Sequence, residues 1–241
     1  MIVDSMNLNE IAVAIRSDIS KLESRILHLG KKYQSEILKK RSHKFPFTLI
    51  YSLISEQKIK FFFGFRAEKR SDWKNPNMLA GGTFILKDGQ YGFLMCPNSN
   101  NRKRIPGVII MTPHFLSRYR ERMIKDHSLA TEELIKMFIK NNHSFYVNEM
   151  TMEYSLQKDK YKREGVTQVS VISPEGYSVG EYMTNDCIRL MTFITSEMLS
   201  ERQKSQIQSD EDYANSYLKI LQMTGILEKD INQIKFSNKW R

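Results

Sequence analysis

One short segment carries three side chains whose types and spacing suit phosphate chemistry. Thr112 precedes Pro113, which is typical of a helix start, because threonine caps the first turn and proline has no N–H to leave unpaired there. At about 100° per residue, His114, Arg118 and Arg122 then fall on one side of the helix. A neutral imidazole can act as a base, and one guanidinium group can bind two phosphate oxygens through two parallel hydrogen bonds. The spacing therefore predicts a helix face that binds an anion.

Two interpretations of this face are open. In the first, the arginines of the segment are solvated or form pairs with carboxylates such as Glu121, as basic helix faces often do. In the second, Arg118 and Arg122 stabilise charge that develops on a phosphodiester, and His114 serves as the base. The basic loop cluster Arg102-Lys103-Arg104 lies just before the helix, and we expect it to extend the same nucleic-acid-binding surface.

The pattern His-x-x-x-Arg-x-x-x-Arg at a helix start, followed by a second helix and then strands, resembles small bacterial toxin-type domains of the barnase, EndoU, colicin and RelE ribonuclease fold. The resemblance covers residues 108–199. It implies metal-independent RNA cleavage, with His114, Arg118 and Arg122 as candidate active-site residues and no cofactor. It also implies that a hydroxyl or basic residue on the terminal strand faces the histidine, and Thr192 is our candidate for it.

Composition supports a globular protein with a polyanionic partner. The 241-residue chain is 41% hydrophobic and 27% charged, and its formal net charge of +10 favours RNA, DNA or an acidic protein. Two cysteines, Cys96 and Cys187, are too few for a disulfide framework, so the expected compartment is a reducing cytoplasm. No run approaches the roughly 20 apolar residues that span a bilayer, and no signal peptide is recognisable.

Three functional hypotheses follow, since the chain has no Walker loop, Rossmann glycine pattern, His-Glu-x-x-His or cluster of metal-site spacing. The first is a toxin-like endoribonuclease in which His114 takes the proton from a ribose 2′-hydroxyl and Arg118 and Arg122 stabilise the pentacovalent phosphate. The second is a non-catalytic nucleic-acid-binding or regulatory protein whose arginines only position phosphates. The third is an interaction protein of a phage or mobile element that dimerises through its N-terminal helix.

The N-terminal segment, residues 1–42, is predicted to form one long amphipathic helix. Apolar residues recur in steps of three and four from Leu8 to about Lys40, and charged residues occupy the other faces. Gly30 is the position where the pattern would allow the helix to divide. The apolar stripe either docks on the body of the protein, which we favour, or pairs with a second chain or a protein partner.

The segment 43–107 is predicted to be rich in β-strands. Strands are expected at residues 48–54, 59–65, 83–86 and 90–96, with residues 66–82 as a loop. Asp88-Gly89 is a strong signal for a two-residue hairpin turn. The run Phe61-Phe62-Phe63-Gly64-Phe65 is either buried core, which we favour, or a platform on which RNA bases stack.

The segments 108–199 and 200–241 complete a predicted α+β protein. After the His114 helix, Thr131 is predicted to cap a second helix, which ends near Asn141-Asn142. Strands are predicted at residues 143–147, 151–156, 167–172, 177–182 and 187–195, with a turn at residues 174–176. His143, at a strand start, is either incidental or a second acid–base residue. We therefore expect the central helix pair to pack on an antiparallel sheet, with C-terminal helices after it.

Overall fold

The computed structural model describes residues 2–39, 44–95, 107–142, 145–149, 167–184, 187–199 and 201. The chain divides into two compact units, residues 1–195 and 196–241. In the second unit, Ser196–Met198 forms a turn of 3-10 helix. The predicted C-terminal helices lie almost entirely outside the described residues.

In its described residues the first unit combines four α-helices with one nine-stranded sheet. The helices are α1 (Leu8–Ser20), α2 (Glu23–Lys39), α3 (Pro113–Tyr119) and α4 (Thr131–Asn141). The strands are β1 (Phe47–Ile54), β2 (Lys60–Ala67), β3 (Asn77–Leu86), β4 (Gly89–Met95), β5 (Val108–Met111), β6 (Tyr146–Glu149), β7 (Gln168–Ser173), β8 (Gly176–Thr184) and β9 (Cys187–Ile194). The predicted α+β class is therefore confirmed.

The strands are ordered β1-β2-β3-β4-β5-β9-β8-β7-β6. Only the pairing of β5 with β9 is parallel, and the other pairings between described strands are antiparallel. The predicted segments 43–107 and 108–199 both contribute to this one sheet, because β4 pairs directly with β5. The β4–β5 and β5–β9 pairings thus connect the N-terminal strands to the strands that follow the candidate site.

Helices cover both faces of the sheet. In β2, Phe61 and Phe63 belong to the apolar cluster that contains α1 and α2, whereas Phe62 belongs to the cluster that contains α3 and α4. This division follows from the alternation of side chains along a strand. All three phenylalanines are fully buried, which confirms that this aromatic run is core.

The N-terminal segment forms two helices, so the prediction of a single long helix is wrong. The chain turns at Lys21 and Leu22, not at Gly30, and the Lys21 N–H donates to the carbonyl oxygens of Asp18 and Ile19. The turn lets Leu22 be buried while the following helix runs along the same face of the sheet. The predicted docking is confirmed, since buried residues of both helices pack in the sheet's cluster: Ile11, Ile15, Leu22, Leu29, Tyr33 and Ile37. This stripe is therefore already occupied and does not offer a dimer seam.

The predicted loop over residues 66–82 is corrected in part. The structure contains a 3-10 helix at Arg70–Lys74 and begins β3 at Asn77. Gly81-Gly82, which resembles a turn signal, lies inside β3. A Cβ on Gly81 would come within 2.6 Å of the Phe93 carbonyl oxygen and within 3.1 Å of the Ile139 side chain. These glycines are needed for close packing within the sheet and against α4.

Helix α4 lies in a shallow trough made by glycines of three neighbouring strands. A Cβ on Gly64 would lie 2.5 Å from Ile139 Cγ2, and one on Gly92 would lie 2.3 Å from Ile135 Cδ1. Gly81 completes the trough in β3. The missing side chains allow α4 to approach the sheet closely and fix the layer that also contains α3.

Candidate functional site

The start of α3 is attached to the terminal strand β9. Thr112 is the N-cap, its Oγ1 accepts a hydrogen bond from the Phe115 N–H at 3.2 Å, and Pro113 is the first helical residue. Both the main-chain N–H and the hydroxyl of Thr112 donate to the Leu190 carbonyl oxygen, at 3.2 and 3.0 Å. The predicted helix start is confirmed. His114 lies two residues beyond this attachment, so its backbone is held next to β9.

The helix changes its geometry midway through the predicted motif. After Tyr119 the chain continues as a π-helical turn, Arg120–Ile124, and the Lys125 N–H donates to the Arg120 carbonyl oxygen at 2.8 Å. Lys125 then ends the helix in the left-handed conformation, with φ of 57°. Because a π turn contains more residues than an α turn, the direction of Arg122 departs from ideal α-helical spacing.

His114 and Arg118 lie on the accessible side of α3. The inner side of the helix is buried through Phe115, Leu116 and Tyr119, while His114 is exposed. Arg118 Nη1 lies 2.8 Å from Glu121 Oε2, and the two side chains are 39% and 50% exposed. An ion pair this open to water contributes little stability, so a phosphate can displace the glutamate at low cost.

Arg122 is held by the end of the sheet. Its Nη1 donates a hydrogen bond to the main-chain carbonyl oxygen of Phe193 in β9. The Phe193 ring packs edge-on against Phe115 and Tyr119, with centroids 6.0 and 5.1 Å apart. A guanidinium has five N–H groups, so this bond fixes the position of the side chain and leaves further donors for a ligand.

Thr192 lies on the wrong face of the sheet for its predicted role. Thr192 pairs with Val179, but the next pair is Gly180 with Leu190, so β9 contains a bulge at Met191. The bulge lets Leu190 and Phe193 both join the cluster of α3 and α4. Thr192, adjacent to Phe193, therefore faces the α1–α2 side, and the structure does not bring it to His114.

Two other sets of predicted residues lie outside the described part of the chain. They are the basic cluster Arg102, Lys103 and Arg104, and the possible second acid–base residue His143. Cys187, one of the two cysteines, is buried in the cluster of α1 and α2, as a small apolar residue of the core would be.

The sequence gives little sign of a polar network that fixes the C-terminal ends of α3 and α4. The Glu175 carboxylate accepts hydrogen bonds from the Tyr119 hydroxyl, from Asn141 Nδ2 at 2.7 Å and from Asn142 Nδ2 at 2.6 Å. The Glu175 N–H returns a bond to Asn142 Oδ1 at 3.2 Å. These side chains resemble ordinary helix-end and turn residues in the sequence. The fold brings Glu175 and its partners together, although they are more than thirty residues apart in the sequence.

Tyr119 keeps its proton within this network. Burial raises the pKa of the Tyr119 hydroxyl well above its usual value, and the hydrogen bond to the Glu175 carboxylate raises it further. The neutral phenol is therefore a hydrogen-bond donor over the ordinary pH range. The network connects the turn between β7 and β8 to both helices that carry or support the basic face.

The described residues contain neither a cluster that could hold a metal ion nor a helix that could span a membrane. No group of three or more His, Cys, Asp or Glu side chains there is arranged to hold a metal ion. No helix in the same ranges is long and apolar enough to cross a membrane.

Comparison with known proteins yields no family for this chain. No family model matches it, and no curated protein or solved structure is significantly similar to it.

Proposed function

We propose that this protein binds RNA through the outer side of α3 and its π-helical extension, and cleaves it without a metal ion. The observation that carries the proposal is the exposed His114 on the same accessible helix side as the half-exposed Arg118, with Arg122 anchored at the end of β9. The net charge of +10 favours a polyanionic substrate. Attachment of Thr112 and Arg122 to β9 holds both ends of this surface.

In the proposed reaction, His114 removes the proton from a ribose 2′-hydroxyl. The 2′-oxygen attacks the adjacent phosphorus, the bond to the 5′-oxygen breaks, and the leaving oxygen takes a proton from the imidazolium or from water. The products are a 2′,3′-cyclic phosphate and a 5′-hydroxyl. Arg118 releases its ion pair with Glu121 and binds the phosphate instead. Arg118 and Arg122 then stabilise the negative charge of the pentacovalent transition state.

A second candidate function is RNA binding without cleavage. Two observations on the described residues favour it: none of their hydrogen bonds involves His114, and Thr192 faces the other side of the sheet. In this case Arg118 and Arg122 only position the phosphate backbone. The two candidates share a surface and differ in turnover.

Incubation of the full-length protein with a defined RNA and EDTA tests the proposal. We expect cleavage that yields cyclic-phosphate ends, and no cleavage when the 2′-hydroxyls are replaced by hydrogen. His114→Ala should lower the rate by about 10²- to 10⁴-fold, the range of a general base. His127→Ala is the matched control, because His127 is also exposed but lies beyond the π turn.

Three results would contradict metal-independent RNA cleavage with His114 as the general base. They are inhibition by EDTA, equal cleavage of the deoxy substrate, and an equal loss of activity in His127→Ala. RNA binding with a steep salt dependence and no turnover would select the non-catalytic alternative.

A further inference from the structure

A cavity of about 480 Å³ lies beside the start of α1, between the β3–β4 turn and the strands β8 and β9. Its volume is within the range of about 300–1,000 Å³ that small-molecule sites occupy. The segment before α1 contributes Asp4 to its lining, the hairpin of β3 and β4 contributes Tyr91, and the terminal strand contributes Arg189. The cavity is on the α1–α2 side of the sheet, because its apolar lining residues belong to the cluster of those helices.

One part of the lining is apolar and incompletely buried. Met6, Leu8, Leu86 and Met183 pack against the cluster of α1 and α2 but keep part of their surface accessible. Methionine side chains are flexible and polarizable, so they adapt well to the face of an aromatic ring. A flat ring in the cavity would remove this apolar surface from water, which is favourable.

The polar part of the lining is held in place and still has atoms that can bind a ligand. Asp4 Oδ1 accepts a hydrogen bond from the Lys87 N–H at 2.8 Å, and Asp88 Oδ2 accepts one from the Tyr91 hydroxyl at 2.5 Å. No hydrogen bond between described residues uses the second oxygen of either aspartate or the Lys87 ammonium group. The cavity therefore offers two acceptors and one cation.

The charges of the lining favour an uncharged polar ligand over a simple anion. Asp4 and Asp88 balance Lys87 and Arg189, and Arg189 is also paired with the buried Glu181. The positive potential of a protein with a net charge of +10 is thus offset at this place. A nucleobase is uncharged, has two apolar faces and carries hydrogen-bonding groups on its edge. Carboxylates accept hydrogen bonds from the amino group of such an edge, as from N4 of cytosine.

The β3–β4 turn joins the cavity to the surface that is proposed to bind RNA. Lys87 and Asp88 of this turn line the cavity. The next residue, Gly89, packs against the first residue of α3, since a Cβ on Gly89 would lie 3.1 Å from Pro113 Cγ. Pro113 directly precedes His114. An RNA strand bound at His114 therefore has only this turn to cross to reach the cavity.

We propose that the cavity is a subsite for one unpaired base of the bound RNA and that it favours a base with an amino group on its edge. This inference rests on the proposed function, because RNA bound at α3 supplies the base. The ring lies against Met6 and Met183, its amino group donates to Asp4 and Asp88, and Lys87 binds the adjoining phosphate.

Binding of free nucleotides to the full-length protein tests the subsite separately from RNA binding and cleavage. We expect cytidine monophosphate to bind about tenfold more tightly than uridine monophosphate, which has a carbonyl oxygen in place of the amino group. Both nucleotides should shift the NMR signals of the Met6 and Met183 methyl groups. Lys87→Ala should weaken the binding of both and reduce its dependence on salt.

Replacement of both aspartates by asparagine, Asp4→Asn with Asp88→Asn, should abolish the preference for cytidine. Asparagine can still accept the hydrogen bonds of the Lys87 N–H and the Tyr91 hydroxyl, and Asn-Gly suits the turn as well as Asp-Gly does. Its amide N–H groups would then face the amino group of the base. The same double variant should lose the preference for oligocytidine over oligouridine, whereas Arg118→Ala should weaken the binding of both RNAs.

The matched control is Glu10→Gln with Glu133→Gln, which changes the net charge by the same amount outside the cavity. Both glutamates are exposed, and glutamine at position 10 can still accept the Asn7 N–H. An equal loss of preference in this control would overturn the subsite. Unshifted methionine signals at millimolar nucleotide, in a protein that still binds or cleaves RNA at α3, would overturn the subsite alone. Nucleotide binding in the cavity without any RNA binding would overturn both the proposed function and the assignment of this cavity to RNA.

Discussion

The two helical layers on either side of the sheet are fastened in different ways. Helices α1 and α2 dock mainly through an apolar stripe that includes Ile15 and Tyr33, and α2 adds single hydrogen bonds to main-chain carbonyl oxygens, such as that from the Tyr33 hydroxyl to Phe47 at 2.7 Å. Helices α3 and α4 also bury aromatic rings, but their C-terminal ends are joined to the β7–β8 turn by the hydrogen bonds of Glu175. Burial of apolar area supplies stability with little directional preference, whereas hydrogen bonds fix orientation.

This difference matters for the candidate site because its basic side chains belong to the layer that is hydrogen-bonded to β9 and to the β7–β8 turn. Thr112 is bonded to Leu190, Arg122 to Phe193, and Tyr119 to Glu175. A catalytic histidine and its phosphate ligands must be held in a narrow range of positions. The α1–α2 layer carries no such attachment to the proposed surface, so we expect it to contribute mainly stability.

The largest expected effect on stability comes from the apolar layer. Ile15→Ala removes a fully buried side chain of α1 and should lower the free energy of unfolding by about 2–4 kcal/mol. Val13→Ala, in the same helix but 56% exposed, should change it by less than about 0.5 kcal/mol. Urea unfolding measures both. Similar losses in the two variants would mean that the stripe is not docked as described.

The polar network should show a smaller loss of stability together with a loss of function. Glu175→Ala removes the acceptor of three hydrogen bonds and should cost about 1–3 kcal/mol. Glu133→Ala, which removes only an exposed pair with Lys136, should be almost neutral. If the network orients α3, Glu175→Ala should also slow RNA cleavage at a temperature where the variant remains folded. Unchanged cleavage would show that the network is only structural.

Alkaline unfolding isolates the contribution of Tyr119. Its raised pKa in the folded protein means that its contribution is fully present below about pH 10 and is lost as the pH rises and the unfolded tyrosine ionises. Between pH 10 and 11 this loss should be about 1 kcal/mol. Tyr119→Phe should remove that part of the pH dependence. Tyr33 and Tyr91, whose pKa values burial raises to about 12, would leave a remaining slope.

For a buried carboxylate in α1, we expect a substitution to increase the stability of the protein, whereas the preceding substitutions decrease it. Asp18 is fully buried in α1, and neither carboxylate oxygen has a hydrogen-bond partner within the described ranges. Burial of a charge without a partner is unfavourable, so Asp18→Asn should raise the free energy of unfolding by about 1 kcal/mol. Asp72→Ala is the control, because it removes the acceptor of the Lys69 N–H at 3.0 Å and should lower the free energy of unfolding. A loss of stability in Asp18→Asn would show that the carboxylate has a favourable role.

The sequence predicted those parts of the fold that local signals determine. Asp88-Gly89 predicted the β3–β4 turn, where Gly89 has φ of 139°, and Thr112-Pro113 predicted the start of α3. The break after α1 and the extent of β3 were missed. Both depend on how Leu22 and Gly81 pack against distant parts of the chain. The local periodicity of apolar residues in the sequence does not reveal such tertiary packing.

The candidate site divides in the same way. The sequence predicted that His114 and Arg118 share one side of a helix, because both belong to α3 and follow its period. An unbroken β9 would place Leu190 and Phe193 on opposite faces of the sheet, but the bulge at Met191 puts both in the cluster of α3 and α4. Glu175 was missed because its partners on α3 and α4 are distant in the sequence.

The smallest expected effect concerns the salt dependence of RNA binding, and it separates a defined surface from a diffuse one. Arg118→Ala and Arg122→Ala should each reduce the slope of log affinity against log salt by about one unit, because each removes one phosphate contact. Lys31→Ala removes an exposed cation from α2, across the sheet, and should leave the slope unchanged.

Arg120 provides the strictest control because it lies in the same helical segment. It is partly buried and lies two residues beyond Arg118, so it projects about 160° away from Arg118 around the helix. On this basis Arg120→Ala should not change the salt slope, although a small change in stability is expected. Binding titrations at several salt concentrations measure all four variants. Equal slopes in Arg118→Ala, Arg120→Ala and Lys31→Ala would mean that RNA contacts the whole basic protein, because a site confined to one helix side loses contacts only there.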